Sequence, residues 1–213
     1  MKLFWTPASP FTRKVSVAAK EIGLWDKIEI IQTKWPLSWG YETVQFTAGL
    51  AENNPVARIP TLVTDAGYPL GCSTLACQHL DRLSGGRLSS HDPDRMWSLY
   101  AIADGLIEAQ ILMRAEHLRP SEYRMESFLQ KQRDRITRCF DAIEARADEL
   151  QAINDENLPN LAEITVAIAA SYQDWREWLE DFRPGRPSLS SWYESFRMRP
   201  SIQTTEPAET PEA

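Results

Sequence analysis

The sequence predicts a fold in two parts, an α/β part followed by a part that is entirely helical. Three observations predict it. Short β-rich runs alternate with helical patterns over residues 1–83, a glycine- and serine-rich stretch follows at 84–93, and the long patterns beyond it have helical periodicity. Alternating strands and helices are typical of a sheet covered by helices, whereas continuous helical periodicity is typical of an all-α domain.

The chain opens with a predicted strand, helix and second strand. Lys2–Trp5 has the apolar composition of a buried strand, and Ile28–Ile31 has that of the next one. Between them, apolar residues recur at helical spacing at Val15, Ala18, Ala19 and Ile22. Gly23 follows this pattern where a left-handed residue commonly ends a helix.

The rest of the first part predicts two more strands and a helix. Residues 58–64 form a third strand with Pro60 near its start, and residues 65–67 form a hairpin turn. A short strand returns over Tyr68–Gly71, after which Ser73 is the predicted N-cap of a helix that ends near Leu83. The predicted order is βαβαββα.

We place the first domain at residues 1–83 and an all-α domain at 91–207, with a disordered acidic tail at 208–213. The α domain contains four helical patterns, at about 92–118, 121–153, 160–178 and 188–196. Asn160 and Glu163 have the spacing of a capping box, so the third of these helices has a defined start.

Composition excludes several classes of protein. The net charge is −7 and the basic residues are interspersed with acidic ones, which argues against a nucleic-acid partner. Apolar residues make up 43% of the chain, but none of the apolar runs approaches the roughly 20 residues that span a bilayer. We therefore expect a cytoplasmic protein with no membrane contact.

The cysteines and histidines predict neither a disulfide framework nor a metal site. The three cysteines, Cys72, Cys77 and Cys139, are odd in number and lack C-x-x-C spacing, so we expect reduced thiols. The three histidines, His79, His91 and His117, are far apart and share no motif. No metal site is predicted.

Six stretches together resemble the cytosolic glutathione S-transferases. They are SPFTRKV (9–15), NPVARIPTLV (54–63), CSTLACQHLD (72–81), ADGLIEA (103–109), NLAEITVAIA (160–169) and WYESFRMRPSIQTTEP (192–207). The first is similar to the serine-type active-site turn of bacterial members. The resemblance implies a thioredoxin-like N-terminal domain that binds glutathione as co-substrate, an all-α C-terminal domain, and a homodimer.

Within this family Ser9 is the implied catalytic residue. Conjugation needs the glutathione thiol, with a free pKa of about 8.5, as its thiolate. A hydroxyl at a helix N-terminus stabilises that anion, together with the helix amides. Alternatively, Ser9 is only an N-cap followed by Pro10. Because Thr12 ends the Ser-Pro-Phe-Thr turn, where redox relatives of this fold carry C-x-x-C, a dithiol mechanism is excluded there.

The resemblance also implies residues that hold glutathione. A cis peptide between Ile59 and Pro60 would turn the Ile59 backbone toward the cysteinyl part of the tripeptide, and Ser73 would bind the γ-glutamyl carboxylate. The alternatives are an ordinary trans proline and an N-cap without a ligand. Cys72 stands where many relatives carry an acidic residue, and Asp104 would supply that charge from the neighbouring subunit, unless it lies on a solvated helix face.

The second substrate is implied to be a small hydrophobic electrophile that lies against the thiolate. Its predicted pocket is lined by Thr6, Pro7 and Ala8 from the turn before Ser9 and by Leu106, Ile107 and Gln110 from the first long helix. An aromatic loop, Trp35, Trp39 and Tyr41, either closes this pocket or packs onto the first domain.

The leading functional prediction is therefore a glutathione transferase with a detoxification role. Two alternatives remain open from the sequence. One is a related protein without catalysis, which binds glutathione or acts as a scaffold. The other is a glutathione-dependent etherase, dehalogenase or isomerase, since one fold hosts several such reactions.

Overall fold

The computed structural model describes residues 1–33, 47–151 and 157–209. The predicted aromatic loop of Trp35, Trp39 and Tyr41 lies outside these residues. None of the helices in the described ranges is both long enough and apolar enough to span a membrane.

A four-stranded mixed sheet forms the first domain. Its strands are β1 (Lys2–Trp5), β2 (Glu29–Gln32), β3 (Thr61–Val63) and β4 (Pro69–Leu70), in the spatial order β2-β1-β3-β4. β1 pairs in parallel with β2 and antiparallel with β3, which pairs antiparallel with β4. The central strand β1 places the fully buried Leu3 between its two neighbours.

Three helices complete the first domain, α1 (Pro10–Glu21), α2 (Leu50–Asn53) and α3 (Ser73–Leu83). The order βαβαββα and the thioredoxin-like fold are confirmed. β3 is shorter than predicted, because it begins only after Pro60, which has no amide hydrogen to give to a ladder.

The second domain is entirely helical in its described part. It contains α4 (Pro93–His117), α5 (Glu126–Glu144), α6 (Leu161–Trp175), α7 (Pro187–Phe196) and α8 (Pro200–Gln203). Short 3₁₀ turns lie at Trp25–Lys27, Ser121–Tyr123 and Ala147–Gln151.

The helix predicted over 121–153 is interrupted, and α5 begins only at Glu126. The cause is local, because Met125 has an extended conformation and donates its amide to the carboxylate of Glu116 on α4, at 2.7 Å. This contact ends the Ser121–Tyr123 turn before α5 starts. Periodicity alone does not reveal such a break.

The predicted capping box at the start of α6 is confirmed. Asn160 Oδ1 accepts from the amides of Ala162 and Glu163 at 2.9 and 3.1 Å, and Glu163 Oε2 accepts from the Asn160 amide at 2.9 Å. These bonds satisfy amides that the first turn would otherwise leave without partners. α6 is buried on almost every side, so water does not reach its first turn and the capping side chains must satisfy these amides.

α1 and α6 run antiparallel and join the two domains. Near the start of α1, Arg13 donates to Ser171 Oγ at 2.5 Å, close to the end of α6. At the other end of α1, Glu21 accepts a bidentate pair from Arg199 at 2.9 and 2.8 Å, and Arg199 also donates to the carbonyl of Asn157, just before α6. The N-terminus of α1 therefore lies level with the C-terminus of α6.

Candidate functional site

Ser9 is the N-cap of α1. It has an extended conformation, Pro10 follows as the first helical residue, and Ser9 Oγ accepts from the Thr12 amide at 3.3 Å. Thr12 Oγ1 in turn lies 2.6 Å from the carbonyl oxygen of Thr6 and closes the turn. Ser9 is half-buried, and its hydroxyl donates to no other residue in the described ranges. The hydroxyl hydrogen is therefore available to a ligand.

The peptide between Ile59 and Pro60 is cis, as predicted. Asn54 holds this segment, since its Nδ2 donates to Thr61 Oγ1 at 2.9 Å and its Oδ1 accepts from the Val56 amide at 3.1 Å. The backbone N–H and C=O of Ile59 form no hydrogen bond within the described chain. An unused donor and acceptor therefore lie side by side next to the sheet.

Sequence reasoning missed the role of Asn54. Its signal was an asparagine directly before Pro55, a pair that is typical of a turn in which the side chain bonds nearby backbone. The Asn54 side chain also lies close to Gly71, since a Cβ at position 71 would be 2.8 Å from Asn54 Nδ2 and would force the Asn54 amide to move.

The start of α3 differs from the prediction by one residue. Cys72, not Ser73, is the N-cap, because Cys72 is extended and its Sγ accepts from the Leu75 amide at 3.5 Å, whereas Ser73 is already helical. Ser73 is only 5% exposed, yet its hydroxyl has no hydrogen-bond partner among the described residues. The hydroxyl oxygen itself keeps some exposed surface, so a ligand can reach this unused group.

A buried lysine connects α1 to α4. The Lys14 side chain has no exposed surface, and its Nζ lies 2.5 Å from Asp104 Oδ1 and 2.7 Å from the Tyr100 hydroxyl. The Tyr100 hydroxyl is also hydrogen-bonded to Thr74 Oγ1 at 2.8 Å, in the first turn of α3. These contacts link the helix that begins at Ser9 to the helix that begins beside Ser73.

Two groups near this lysine, the Tyr100 hydroxyl and the Cys77 thiol, stay neutral. Burial raises the pKa of Tyr100 above its ordinary value, and the Cys77 and Asp104 side chains act in the same direction. Burial also raises the pKa of the Cys77 thiol to about 12, although the Lys14 cation opposes that rise. Asp104 is therefore the carboxylate that balances the charge of Lys14.

Asp104 lies on no freely solvated helix face, because one of its oxygens is bound by Lys14 and its side chain is 33% exposed. Its contact with a partner subunit stays a prediction. Sequence reasoning missed Lys14, whose signal was a cation on the apolar stripe of α1 beside Phe11, Val15 and Ala18.

The residues predicted to line the electrophile pocket differ in their exposure. Pro7 and Ala8 are half-buried beside Ser9, while Thr6 is buried and uses its carbonyl within the turn. The predicted lining from α4 is wrong, because the side chains of Leu106, Ile107 and Gln110 have no exposed surface.

The physical reason is that α4 packs against both α5 and α6, so the face assigned to the pocket is core. Gln110 illustrates this, since its Nε2 donates to the Ala169 carbonyl at 2.9 Å and to Gln173 Oε1 at 2.7 Å. On the same helix, Ile111 and Arg114 keep exposed surface.

Arg13 ties the C-terminal segment to α1, one turn after Ser9. Besides Ser171, its guanidinium donates to the Ile202 carbonyl at 3.1 Å and to Thr205 Oγ1 at 3.4 Å. Burial lowers the pKa of Arg13 to about 10. The C-terminal segment therefore borders the Ser9 end of α1.

Comparison with known proteins identifies the family. A glutathione transferase family member from Pseudomonas fluorescens Pf-5, solved with bound glutathione, is 33% identical, with 98% of this chain and 99% of that chain covered and a TM-score of 0.85. This chain belongs to the glutathione transferase family. Residues 8–83 also match the family model described as glutathione S-transferase, N-terminal domain. The resemblance stated from the sequence is thereby confirmed.

One further relative and a second structure of the Pseudomonas fluorescens protein are also similar to this chain over nearly its whole length. The uncharacterized GST-like protein YibF of Escherichia coli strain K12 is 29% identical over 211 residues, which cover 97% of this chain and 98% of that protein. The Pseudomonas fluorescens protein was also solved with S-(propanoic acid)-glutathione. In that structure the identity is 32%, with 98% and 100% of the two chains covered and a TM-score of 0.83.

Proposed function

We propose that this family member is a glutathione transferase that conjugates glutathione to a small hydrophobic electrophile, with glutathione bound in the first domain. The relative from Pseudomonas fluorescens has glutathione bound, which supports the same co-substrate here. In the proposed reaction a carbon–sulfur bond forms, and the leaving group of the electrophile departs with the electron pair of the bond that breaks. The proton of the thiol passes to solvent.

The observation that carries this proposal is the state of the Ser9 hydroxyl. Its oxygen accepts the Thr12 amide, which leaves its hydrogen free to donate to a sulfur anion at the N-terminus of α1. A helix N-terminus and a hydroxyl donor both favour the thiolate over the thiol, and the thiolate is the nucleophile. The roles of N-cap and thiolate donor are therefore compatible in one residue.

The proposed tripeptide contacts use groups without partners in the described chain. The N–H and C=O of Ile59 would pair with the cysteinyl backbone beside Pro60, and the Ser73 hydroxyl would donate to the γ-glutamyl carboxylate. Charge-assisted hydrogen bonds of this kind are stronger than neutral ones. In a proposed homodimer, Asp104 of the neighbouring subunit would receive the ammonium group.

The exposed thiol of Cys72 motivates the alternative of a glutathione-binding protein without catalysis, because it occupies the place of a carboxylate in many relatives. Calorimetric titration with glutathione and turnover of Ser9→Ala separate the two functions. For the enzyme we expect saturable binding and, in Ser9→Ala, retained binding with lost turnover. Ser191→Ala, on the exposed surface of α7, is the matched control. Binding without turnover in the wild-type protein would support the alternative, and the absence of binding would refute both.

A further inference from the structure

Two arginines at the C-terminal ends of α4 and α6 are associated with Tyr172. Arg176 Nε donates to the Tyr172 hydroxyl at 3.3 Å, and its guanidinium carbon lies 3.5 Å from the centroid of the Trp175 ring. Arg114 interacts electrostatically with both Tyr172 and Arg176. Arg176 is only 8% exposed, so its guanidinium is held by packing as well as by hydrogen bonds.

The positive charge of this pair is incompletely balanced. Arg176 Nη1 donates to the carboxylate of Glu209, but Arg176 Nη2 is buried and has no hydrogen-bond partner among the residues that the structure describes. The guanidinium of Arg114 forms no hydrogen bond or ion pair within the described chain. Burial and the Arg176 cation lower the pKa of Arg114 from its ordinary value, although Tyr172 and Glu209 oppose this shift. A buried donor without a partner is costly, and a carboxylate is the group whose geometry matches a guanidinium.

Glu209 already presents such a carboxylate, but its side chain is 65% exposed. It comes from the C-terminal segment that Arg13 holds against α1 through Ile202 and Thr205. Because the Glu209 carboxylate is still largely solvated, a ligand carboxylate that is better buried against Arg176 can replace it.

The two arginines also lie at the same end of the molecule as Ser9. Ser9 precedes Arg13 by four residues, about 6 Å along α1, and Arg176 follows Ser171 by five residues, about 7.5 Å along α6. Arg13 and Ser171 are hydrogen-bonded and the two helices are antiparallel, so both displacements run in the same direction. Ser9 and Arg176 therefore lie at the same level of the molecule.

We propose that Arg114 and Arg176 form a subsite for the carboxylate of the second substrate, so that this protein prefers electrophiles that carry an acidic group. This inference rests on the proposed function, with Ser9 at the reacting sulfur. Glu209 occupies the subsite in the free protein and leaves it when the ligand carboxylate binds.

Calorimetric titration with S-benzylglutathione and its 4-carboxybenzyl analogue tests the subsite, because the two ligands differ only in the carboxylate. We expect the carboxylated ligand to bind more tightly to the wild-type protein, and Arg114→Gln to weaken it about tenfold while leaving the uncharged ligand unchanged. Arg138→Gln, an exposed arginine on α5, makes the same change in net charge and should have no effect. Glu209→Gln should strengthen binding of the carboxylated ligand, since it removes the competing carboxylate.

The outcomes separate this inference from the proposed function. The subsite would be overturned if the wild-type protein bound the two ligands with equal affinity, or if Arg114→Gln and Arg138→Gln lost the same affinity for the carboxylated ligand. Neither outcome would affect the proposal that the protein binds glutathione. Failure of both ligands and of glutathione to bind would instead overturn the proposed function together with the subsite. Glu209→Gln keeps the test decisive if Arg114→Gln does not fold.

Discussion

Lys14 Nζ lies 2.5 Å from Asp104 Oδ1, and the lysine has no exposed surface while the aspartate is one-third exposed. The two residues come from different domains, since Lys14 is on α1 and Asp104 is on α4. The cation is thus buried at the domain interface and depends on its partner, whereas the carboxylate also reaches solvent. Lys14 therefore depends on the ion pair more than Asp104 does.

This difference in burial predicts that removing Asp104 destabilises the protein more than removing Lys14. Asp104→Asn leaves a buried lysine without its carboxylate and should lower the free energy of unfolding by about 3 kcal/mol. Lys14→Met removes the buried charge and leaves an aspartate that water can reach, so its cost should be about 1 kcal/mol. The double variant should be more stable than Asp104→Asn alone. Urea unfolding measures all three, and an Asp104→Asn protein as stable as wild type would contradict the role of the pair.

The two roles of Ser9 can be separated by two substitutions. Ser9→Gly should lower stability by only a few tenths of a kcal/mol, because glycine is an acceptable N-cap, whereas Ser9→Ala should cost about 1 kcal/mol. Both lack the hydroxyl, so both should shift the pKa of the bound glutathione thiol toward its free value of about 8.5 and lower turnover about 100-fold.

Ultraviolet titration of the thiolate and steady-state kinetics measure these changes. Ser9→Thr serves as the control that keeps a hydroxyl. If Ser9→Gly retained wild-type turnover, Ser9 would be an N-cap alone.

Ser73 should matter for the ligand and little for the fold. The residue is only 5% exposed and its hydroxyl has no hydrogen-bond partner in the described chain, so Ser73→Ala removes no internal bond. We expect unchanged thermal stability and about a tenfold weaker affinity for glutathione, as for the loss of one hydrogen bond to a charged group. Calorimetry checks the affinity, and Ser191→Ala is again the control. An unchanged dissociation constant would remove Ser73 from the site.

Glu163 should make stability depend on pH. Burial raises its pKa to about 8 in the folded protein, from an ordinary 4.5, although the Asn160 amide opposes this shift. The folded state therefore holds a proton that the unfolded state has lost between these values, so the stability associated with this group is complete below pH 4.5 and is lost as the pH rises toward 8.

Glu163→Gln keeps the capping box and removes the titration. Relative to wild type, it should gain roughly 1–3 kcal/mol in unfolding free energy between pH 5 and pH 8. Urea unfolding across this range tests it, with the exposed Glu177→Gln as the control. Parallel pH profiles for wild type and Glu163→Gln would contradict the shift.

The sequence by itself determined the order of the elements and the family. Period and capping are local properties, which is why the strand over Lys2–Trp5, the helix after Ser9 and the capping box of Asn160 were predicted close to their observed bounds. The break before α5 was missed, because it depends on Glu116, a residue that meets Met125 only through the path of the chain.

Only the tertiary structure decided which side chains surround the site. Gln110 was assigned to the substrate pocket, but it is used inside the bundle by Ala169 and Gln173, since α4 is enclosed by two helices. Lys14 and Asp104 are 90 residues apart and meet because α1 packs against the second domain. The Arg114 and Arg176 pair likewise exists only where two helices end together. Local patterns encode helices and strands, whereas burial and charge pairing depend on contacts between residues far apart in the chain.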